Sequence, residues 1–266
     1  MSSVSALGML GAPEAHGRGQ ESTAAEVCVL YEDDDLLAVD KPAGMVVHPA
    51  YRHPTDTLFD LVAARQVERG ERRPWLLHRL DRDTSGVVLL AKTERARRSL
   101  VRQFERREVR KVYLAVVHGG PAATVGEISQ PLRRDPQDRR RVVVDLLGQD
   151  ASTVYRVIAR HEGMALMLAE PRTGRTHQIR AHLAWLGHPI VGDSTYAAEQ
   201  RLADAPARIG GDATYGRHLL HAWHLRIAHP VSGAPLRIVA PLPRDMTSAL
   251  PRAWRALCSP DEVESM

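Results

Sequence analysis

The feature that most constrains this chain is a rhythm of short apolar runs broken by turn residues. VCVLY, LLAVDKP and MVVHP begin it, separated by the acidic EDDD and by Pro-Ala-Gly. WLLHRL, GVVLLAK, VYLAVVHG, VGEIS, RVVVD, STVYRVIAR, MALMLAE, LLHAWHLRIAHP and LRIVAP continue it. Runs of this length, rich in Val, Ile, Leu and Tyr and bounded by Gly, Pro, Asp and Ser, read as strands. Their spacing is that of hairpins rather than crossovers, and the His-Glu-Gly at His161 to Gly163 is a hairpin signal. Helical periodicity is confined to a few stretches. One runs from Asp56 to Glu68 behind Thr55 as cap. A second follows the N-cap Thr93, with Ala96, Leu100, Val101 and Phe104 on one face. A third spans Thr176 to Leu186 and is stopped by Gly187 and Pro189. A short helix after Arg244 must be interrupted or restarted at Pro251. Many strands with few helices argue for an α+β fold built on a mostly antiparallel sheet.

The remaining sequence excludes several classes. At 266 residues with 44% hydrophobic side chains the chain can bury a sizeable core. Cys28 and Cys258 are too few for a disulfide scaffold or a zinc ribbon, which points to a reducing compartment. The aliphatic run Val87 to Ala91 is far short of the roughly 20 apolar residues a membrane span needs. The first residues lack the basic and apolar regions of a secretory signal, so a cytoplasmic location is expected. Residues 1–25 show no apolar periodicity and are expected to be a disordered leader, 26–258 the folded domain and 259–266 a flexible tail. Ala197 to Gly216 reads as a polar loop. No obligate protein partner is evident, and a monomer is expected.

Charge is distributed unevenly. The net is only +4, yet Glu71 to Lys111 hold 13 basic against 6 acidic side chains, and Arg133 to Arg141 five arginines against two aspartates. Local clustering of this kind is the footprint of a nucleic-acid binder, since phosphates are neutralised locally, and it is equally what a solvated Arg-rich helix shows.

Two clusters stand out. In His78-Arg-Leu-Asp81-Arg-Asp83-Thr-Ser85-Gly86, the pattern D-x-D-x-S-G matches the start of a calcium loop. Position twelve, however, is Lys92 where a bidentate Glu is needed, and the flanks read as strands. The same residues also make a plain turn. Against that stand Arg79 and Arg82 on either side of Asp81, whose charges favour an ionised carboxylate. In Glu170 to Arg180 a strand runs through a Gly-bearing turn into a helix start carrying Arg175, His177 and Gln178, so N–H groups and cationic side chains converge. Arg180 falls near the apolar side of that helix, and a buried Arg needs a carboxylate partner. His218, His221 and His224 are spaced by three, and His177 and His182 by five, without an HExxH or a Cys pair. That spacing does not make a metal site.

HRLDRDTSG, with KPAGMVVHP before it and RKVYLAVVHG, GRTHQIRAHLAWLGHPIVGD and LLHAWHLRIAHP after it, resembles the RluA-type family of RNA pseudouridine synthases, over roughly Val27 to Pro241. The resemblance implies a pseudouridine synthase fold, an eight-stranded mixed sheet with flanking helices and a central catalytic cleft between two halves. It implies no metal and no organic cofactor. Residue by residue, Asp81 matches the catalytic aspartate, Tyr113 the aromatic that stacks on the target base, and Arg180 the arginine that pairs with the aspartate. Arg79 matches an arginine that in some members fills the space left by the flipped nucleotide, and Leu219 and Leu220 the apolar wall under the base. Arg79, Arg82, Lys111, Arg175, His177 and Gln178 are then expected to bind RNA. The stretch before Val27 is too short for the S4-type domain many members carry, so RNA binding is expected of the catalytic domain itself.

The implied activity is isomerisation of specific uridines in structured RNA, ribosomal or transfer. Its chemistry asks for an anionic carboxylate that attacks C1′ or takes the C2′ proton, in a pocket that receives a flipped-out nucleotide. A catalytically silent RNA-binding or ribosome-assembly module on the same fold is the alternative, and a buried carboxylate facing a phosphate-rich ligand argues against it.

Overall fold

A computed structural model describes residues 27–49, 55–196 and 215–258. The expected leader, the expected tail and nearly all of the loop from Ala197 lie outside the described residues. In chain order the strands are β1 Val29–Glu32, β2 Leu36–Lys41, β3 Trp75–Leu76, β4 Ser85–Ala91, β5 Arg110–His118, β6 Val125–Ser129, β7 Leu132–Arg134, β8 Val142–Val144, β9 Ser152–His161, β10 Met164–Pro171, β11 Leu220–Ala228 and β12 Pro235–Val239. The helices are α1 Leu58–Glu68, α2 Glu94–Glu105, α3 Gln178–Trp185, α4 Arg244–Ala249 and α5 Arg252–Ala256.

Eight strands form one continuous sheet in the order β1-β2-β4-β11-β5-β10-β9-β6; β3 adds to β4 and β12 to β11, making ten, while β7 and β8 form a separate hairpin. The expected eight-stranded count therefore holds for the main path, and the two extra strands show where the sheet divides. Neighbours pair antiparallel except β4 and β11, which run parallel and meet only at Ser85 with His221 and Gly86 with Ala222. Beyond that contact β4 continues beside β3 and β11 beside β12. The sheet is thus two halves joined at a narrow parallel seam. Gly86 is required there: with φ at +113° its backbone lies so close that a Cβ would meet the Ala222 carbonyl oxygen at 2.1 Å.

The unbroken apolar run at β4 is explained by burial on both faces. Val87, Leu89 and Ala91 pack with Leu100 under α2, and Val88 and Leu90 with Leu58 and Val62 under α1. A larger cluster in the other half joins β5 and β10 to α3 through Leu114, Leu166, Ile179 and Leu183. The helix at Thr93 is capped as read, its hydroxyl accepting from the Ala96 N–H. The cap of α1 is Thr57, not Thr55, because only Thr57 has Asp60 three residues on to complete a reciprocal capping box. MVVHP is not a strand: the Val46 and Val47 carbonyls accept from the Leu58 and Phe59 N–H groups and close the open start of α1. Pro251 separates α4 from α5, as its ring requires.

Candidate active site

The cleft is a cavity of about 500 Å³ bounded on one side by Leu77 to Asp81, which follow β3, and on the other by β5, the 171–175 turn and the start of α3. Asp81, Tyr113 and Arg180 all line it. Asp81 sits where the chain leaves Leu80, which anchors in the core under α1, and the carboxylate keeps about a quarter of its surface exposed. Arg180 Nη1 reaches its Oδ2 at 3.2 Å across 99 residues of sequence.

Arg180 has a second carboxylate. Its Nε and Nη2 donate to Asp193 at 2.7 and 2.9 Å in a bidentate pair, with both side chains almost wholly buried. Burial pushes Asp193 up, but the Arg180 guanidinium more than reverses this and holds it below the usual carboxylate range. Burial would likewise pull Arg180 down, and Asp193 with Asp81 raise it. The arginine is therefore fixed from behind by Asp193 and offers its remaining edge to Asp81. The Tyr196 ring lies 5.2 Å from the guanidinium carbon. Its hydroxyl donates to the Val142 carbonyl and meets His177 Nδ1 at 3.2 Å. Sequence reasoning gave Arg180 one partner; Asp193, within the quoted GHPIVGD, is the one it missed.

Tyr113 faces the cleft from β5. Burial first, and the nearby Asp81 charge second, push its phenol up, so it is neutral and presents a flat face. Leu220 lines the cleft, whereas Leu219 does not: it lies in the core with its N–H donating to the Val191 carbonyl. Of the wall expected from both leucines, Leu220 alone reaches the site, because alternate strand residues face opposite ways.

The loop bearing Asp81 is held from below by groups the sequence reading passed over. Lys41, fully buried, donates from Nζ to the carbonyls of Pro42, Met45 and Arg82, each at 2.8 Å. Burial pulls it down to about 7, while three acceptors take all three ammonium hydrogens. Arg217 donates to the Asp83 carbonyl and pairs with Asp245 at 2.6 Å. His218 meets the Thr84 hydroxyl and His221 the Ser85 hydroxyl, each at 2.9 Å. The regularly spaced histidines thus go to separate tasks, and His182 goes to Thr153 and the Gln130 carbonyl.

The residues expected to bind RNA divide. Arg79, Lys111, Arg175 and His177 line the cleft. Arg79 Nη2 donates across it to the Thr176 hydroxyl at 3.1 Å, and Lys111 Nζ to the Thr173 carbonyl at 3.2 Å. His177, in the left-handed region at φ 52°, places Nε2 3.9 Å from Asp81. Burial pulls it down against the Asp81 charge, which keeps it neutral near pH 7. Arg82 is not at the cleft; it turns outward and pairs with its neighbour Asp83 at 3.1 Å. Gln178 lines the cavity, yet its amide is fully used inside the fold: it donates to the Ser152 carbonyl and Thr153 hydroxyl and accepts from the Thr173 hydroxyl and the Arg175 N–H. It is a positioning residue for the 173–175 turn.

The two basic clusters also diverge. Along α2, Arg97 and Arg98 pair with Glu94, while Arg102, Arg106 and Arg107 make no ion pair among the described residues, and Arg107 reaches the cleft rim. In the β7–β8 hairpin, Arg133 pairs with Asp145 and Arg140 with Asp138, each at 2.8 Å, and Arg134 donates to the Arg139 carbonyl. Among the described residues no helix is long and apolar enough to cross a membrane.

Comparison with known proteins agrees with this geometry. The RNA pseudouridylate synthase family model matches residues 35–185. An uncharacterized RNA pseudouridine synthase of Chloroflexus aurantiacus is 45% identical over 79% of this chain and 64% of its own. The ribosomal large subunit pseudouridine synthase D of Xanthomonas campestris is 42% identical over 82% of this chain and 66% of its own. The chain thus spans about two thirds or slightly less of the length of those relatives. Among solved structures, human RNA pseudouridylate synthase domain containing 4 superposes with a TM-score of 0.69 at 28% identity, over 84% of this chain and 91% of that one. With the family model covering more than half of the sequence and such relatives on both counts, the chain belongs to the RluA-type family of RNA pseudouridylate synthases.

Proposed function

We propose that this protein isomerises uridine to pseudouridine in ribosomal RNA of the large subunit, with Asp81 as the catalytic residue. The observation that carries it is a half-open carboxylate in a cleft, held by an arginine that is itself locked from behind. The names of relatives such as the Xanthomonas enzyme support the large-subunit RNA as target. The reaction breaks N1–C1′ and makes C5–C1′; the hydrogen lost from C5 is matched by one gained at N1. Nothing is oxidised or transferred, so carboxylate chemistry alone balances it.

In this reading the target nucleotide leaves its stack, at a cost of a few kcal/mol offset by phosphate contacts along the rim. Its base lies on Tyr113 over Leu220, and Asp81 either attacks C1′ or removes the C2′ proton. Arg180 stabilises the anion before and after the base is detached, and because Asp193 fixes its orientation no reorganisation accompanies the step. Arg79, bonded across the cleft to Thr176, exchanges that contact for the RNA as the nucleotide enters. The test is incubation of the purified protein with unmodified large-subunit RNA and no added cofactor, followed by pseudouridine mapping. A modified uridine with the wild type and none with Asp81→Asn is expected; equal maps for the two proteins overturn the reading.

A further inference from the structure

On the sheet face opposite the cleft, arginines stand side by side on three neighbouring strands: the register sets Arg226 of β11 against Arg237 of β12 and against Arg110 of β5. Like charges directly opposite one another destabilise a sheet. Arg110 and Arg226 border a cavity of about 300 Å³ whose lining adds Arg156 and Arg172 and a single acid, Glu170. Both Glu170 oxygens are already taken by Arg110 at 2.7 Å.

His224 also lines this cavity. It is only 3% exposed, and neither ring nitrogen has a hydrogen-bond partner; the Arg226 Nε is buried and unpartnered too. A bulge in β11 between Ala222 and His224 turns the imidazole to this face and leaves Trp223 in the core. Burial, with Arg226, Arg237 and Arg110 around it, pushes His224 down to about 4, so it is a neutral ring with one N–H to give. A phosphate oxygen accepts from that N–H and from the guanidiniums together, and neutralises the crowded positive charge.

We propose that this cavity is a second RNA-binding site, holding a backbone phosphate of the substrate outside the catalytic cleft; the proposal rests on the reading of the chain as an RNA-modifying enzyme. Continuity favours RNA over free phosphate. Arg172 lines both this cavity and the cleft, so one RNA segment passes from the catalytic face around the end of β10 to the opposite one.

The test compares wild type with Arg226→Gln/Arg156→Gln, both replacements lying away from the cleft. Binding to a long large-subunit RNA fragment is measured across salt concentrations, and turnover is measured on that fragment and on a minimal stem-loop. The log–log salt slope is expected to flatten by about 0.7 to 0.9 per arginine lost. KM on the long RNA should rise while kcat on the stem-loop is unchanged. Slope and KM equal to wild type overturn the site. In wild type, the His224 imidazole signal followed by NMR should shift with the long RNA; a shift with inorganic phosphate and none with the RNA overturns the assignment to backbone, whether or not the variant folds. A flattened slope in a protein that forms no pseudouridine leaves the site standing and removes the activity; an unchanged slope with normal turnover does the reverse.

Discussion

Arg180 touches two aspartates whose surroundings are opposites. Asp193 is sealed, bidentate and 1% exposed, and it ties α3 to the turn that follows it; Asp81 is 26% exposed and receives a single hydrogen bond. The first is answered by the fold on every side. The second is left partly unanswered, and a carboxylate in that condition is available to a substrate. The arginine-rich stretches repeat the contrast: those of the β7–β8 hairpin are matched by Asp138 and Asp145, while several on α2 face outward without an acid. Charge balance inside the fold therefore separates groups that hold the structure from groups that meet RNA.

The comparison breaks most visibly at Asp81. Asp81→Asn should lower turnover by roughly three orders of magnitude or more. Its denaturation midpoint should stay near that of the wild type, because one partly exposed hydrogen bond is worth about 1 kcal/mol at most. Pseudouridine formation and denaturant melts on the same preparation check this; a large loss of stability would show that Asp81 is a structural partner like Asp193. Asp193→Asn should behave in the opposite sense, costing about 3–5 kcal/mol by leaving a buried guanidinium half paired. Adding Arg180→Met should restore part of that stability and none of the activity, and a double-mutant cycle on melting reads the coupling.

Acid should act on the sealed side. Burial pushes His218 and His221 to about 4 and His78 to about 3, from 6.5 in an unfolded chain. Below pH 6.5 the unfolded chain binds protons that the folded one refuses. Stability is thus complete above that pH and is lost as pH falls toward 4, at up to about 1.4 kcal/mol per unit for each histidine. A denaturation midpoint flat from pH 7 to about pH 4.5 would contradict the burial assigned to these rings. The smallest effect separates the arginines. Neutralising Arg102 and Arg106 should flatten the salt dependence of RNA binding by about 0.7 to 0.9 per contact, while neutralising Arg133 and Arg140 should leave it nearly unchanged. Equal slopes for the two pairs would dissolve the distinction.

Much of this was legible before the structure. Strand runs, the Thr93 cap and the break at Pro251 are local signals, and Asp81, Tyr113 and Arg180 sit in motifs distinct enough to be matched one by one. What was not legible depends on partners distant in sequence. Nothing near Asp193 announces that its carboxylate closes on Arg180, and nothing in RRDPQDRRR shows that its charges are satisfied within their own hairpin. Gln178 reads as a ligand-facing polar residue until the Ser152 carbonyl and Thr173 hydroxyl are found on its amide. MVVHP has the composition of a strand, and only the exposed N–H groups at the start of α1 explain why it became a cap. His224 was one of three evenly spaced histidines until a bulge set it apart.

The placement of β11 between β4 and β5 has a consequence for how the enzyme is made. Ser85 must wait for His221, 136 residues later, before the two halves of the sheet share a strand. Until then the segment carrying Asp81 and the strand carrying Tyr113 belong to separate pieces with no common neighbour. Closing so distant a pairing is a slow, late event in folding. During synthesis, which runs from the N-terminus, the catalytic aspartate therefore emerges early and its pocket late. A nascent chain still tethered to the ribosome has no assembled cleft, so an enzyme proposed to act on ribosomal RNA gains that competence only once most of its sequence has left the particle that made it.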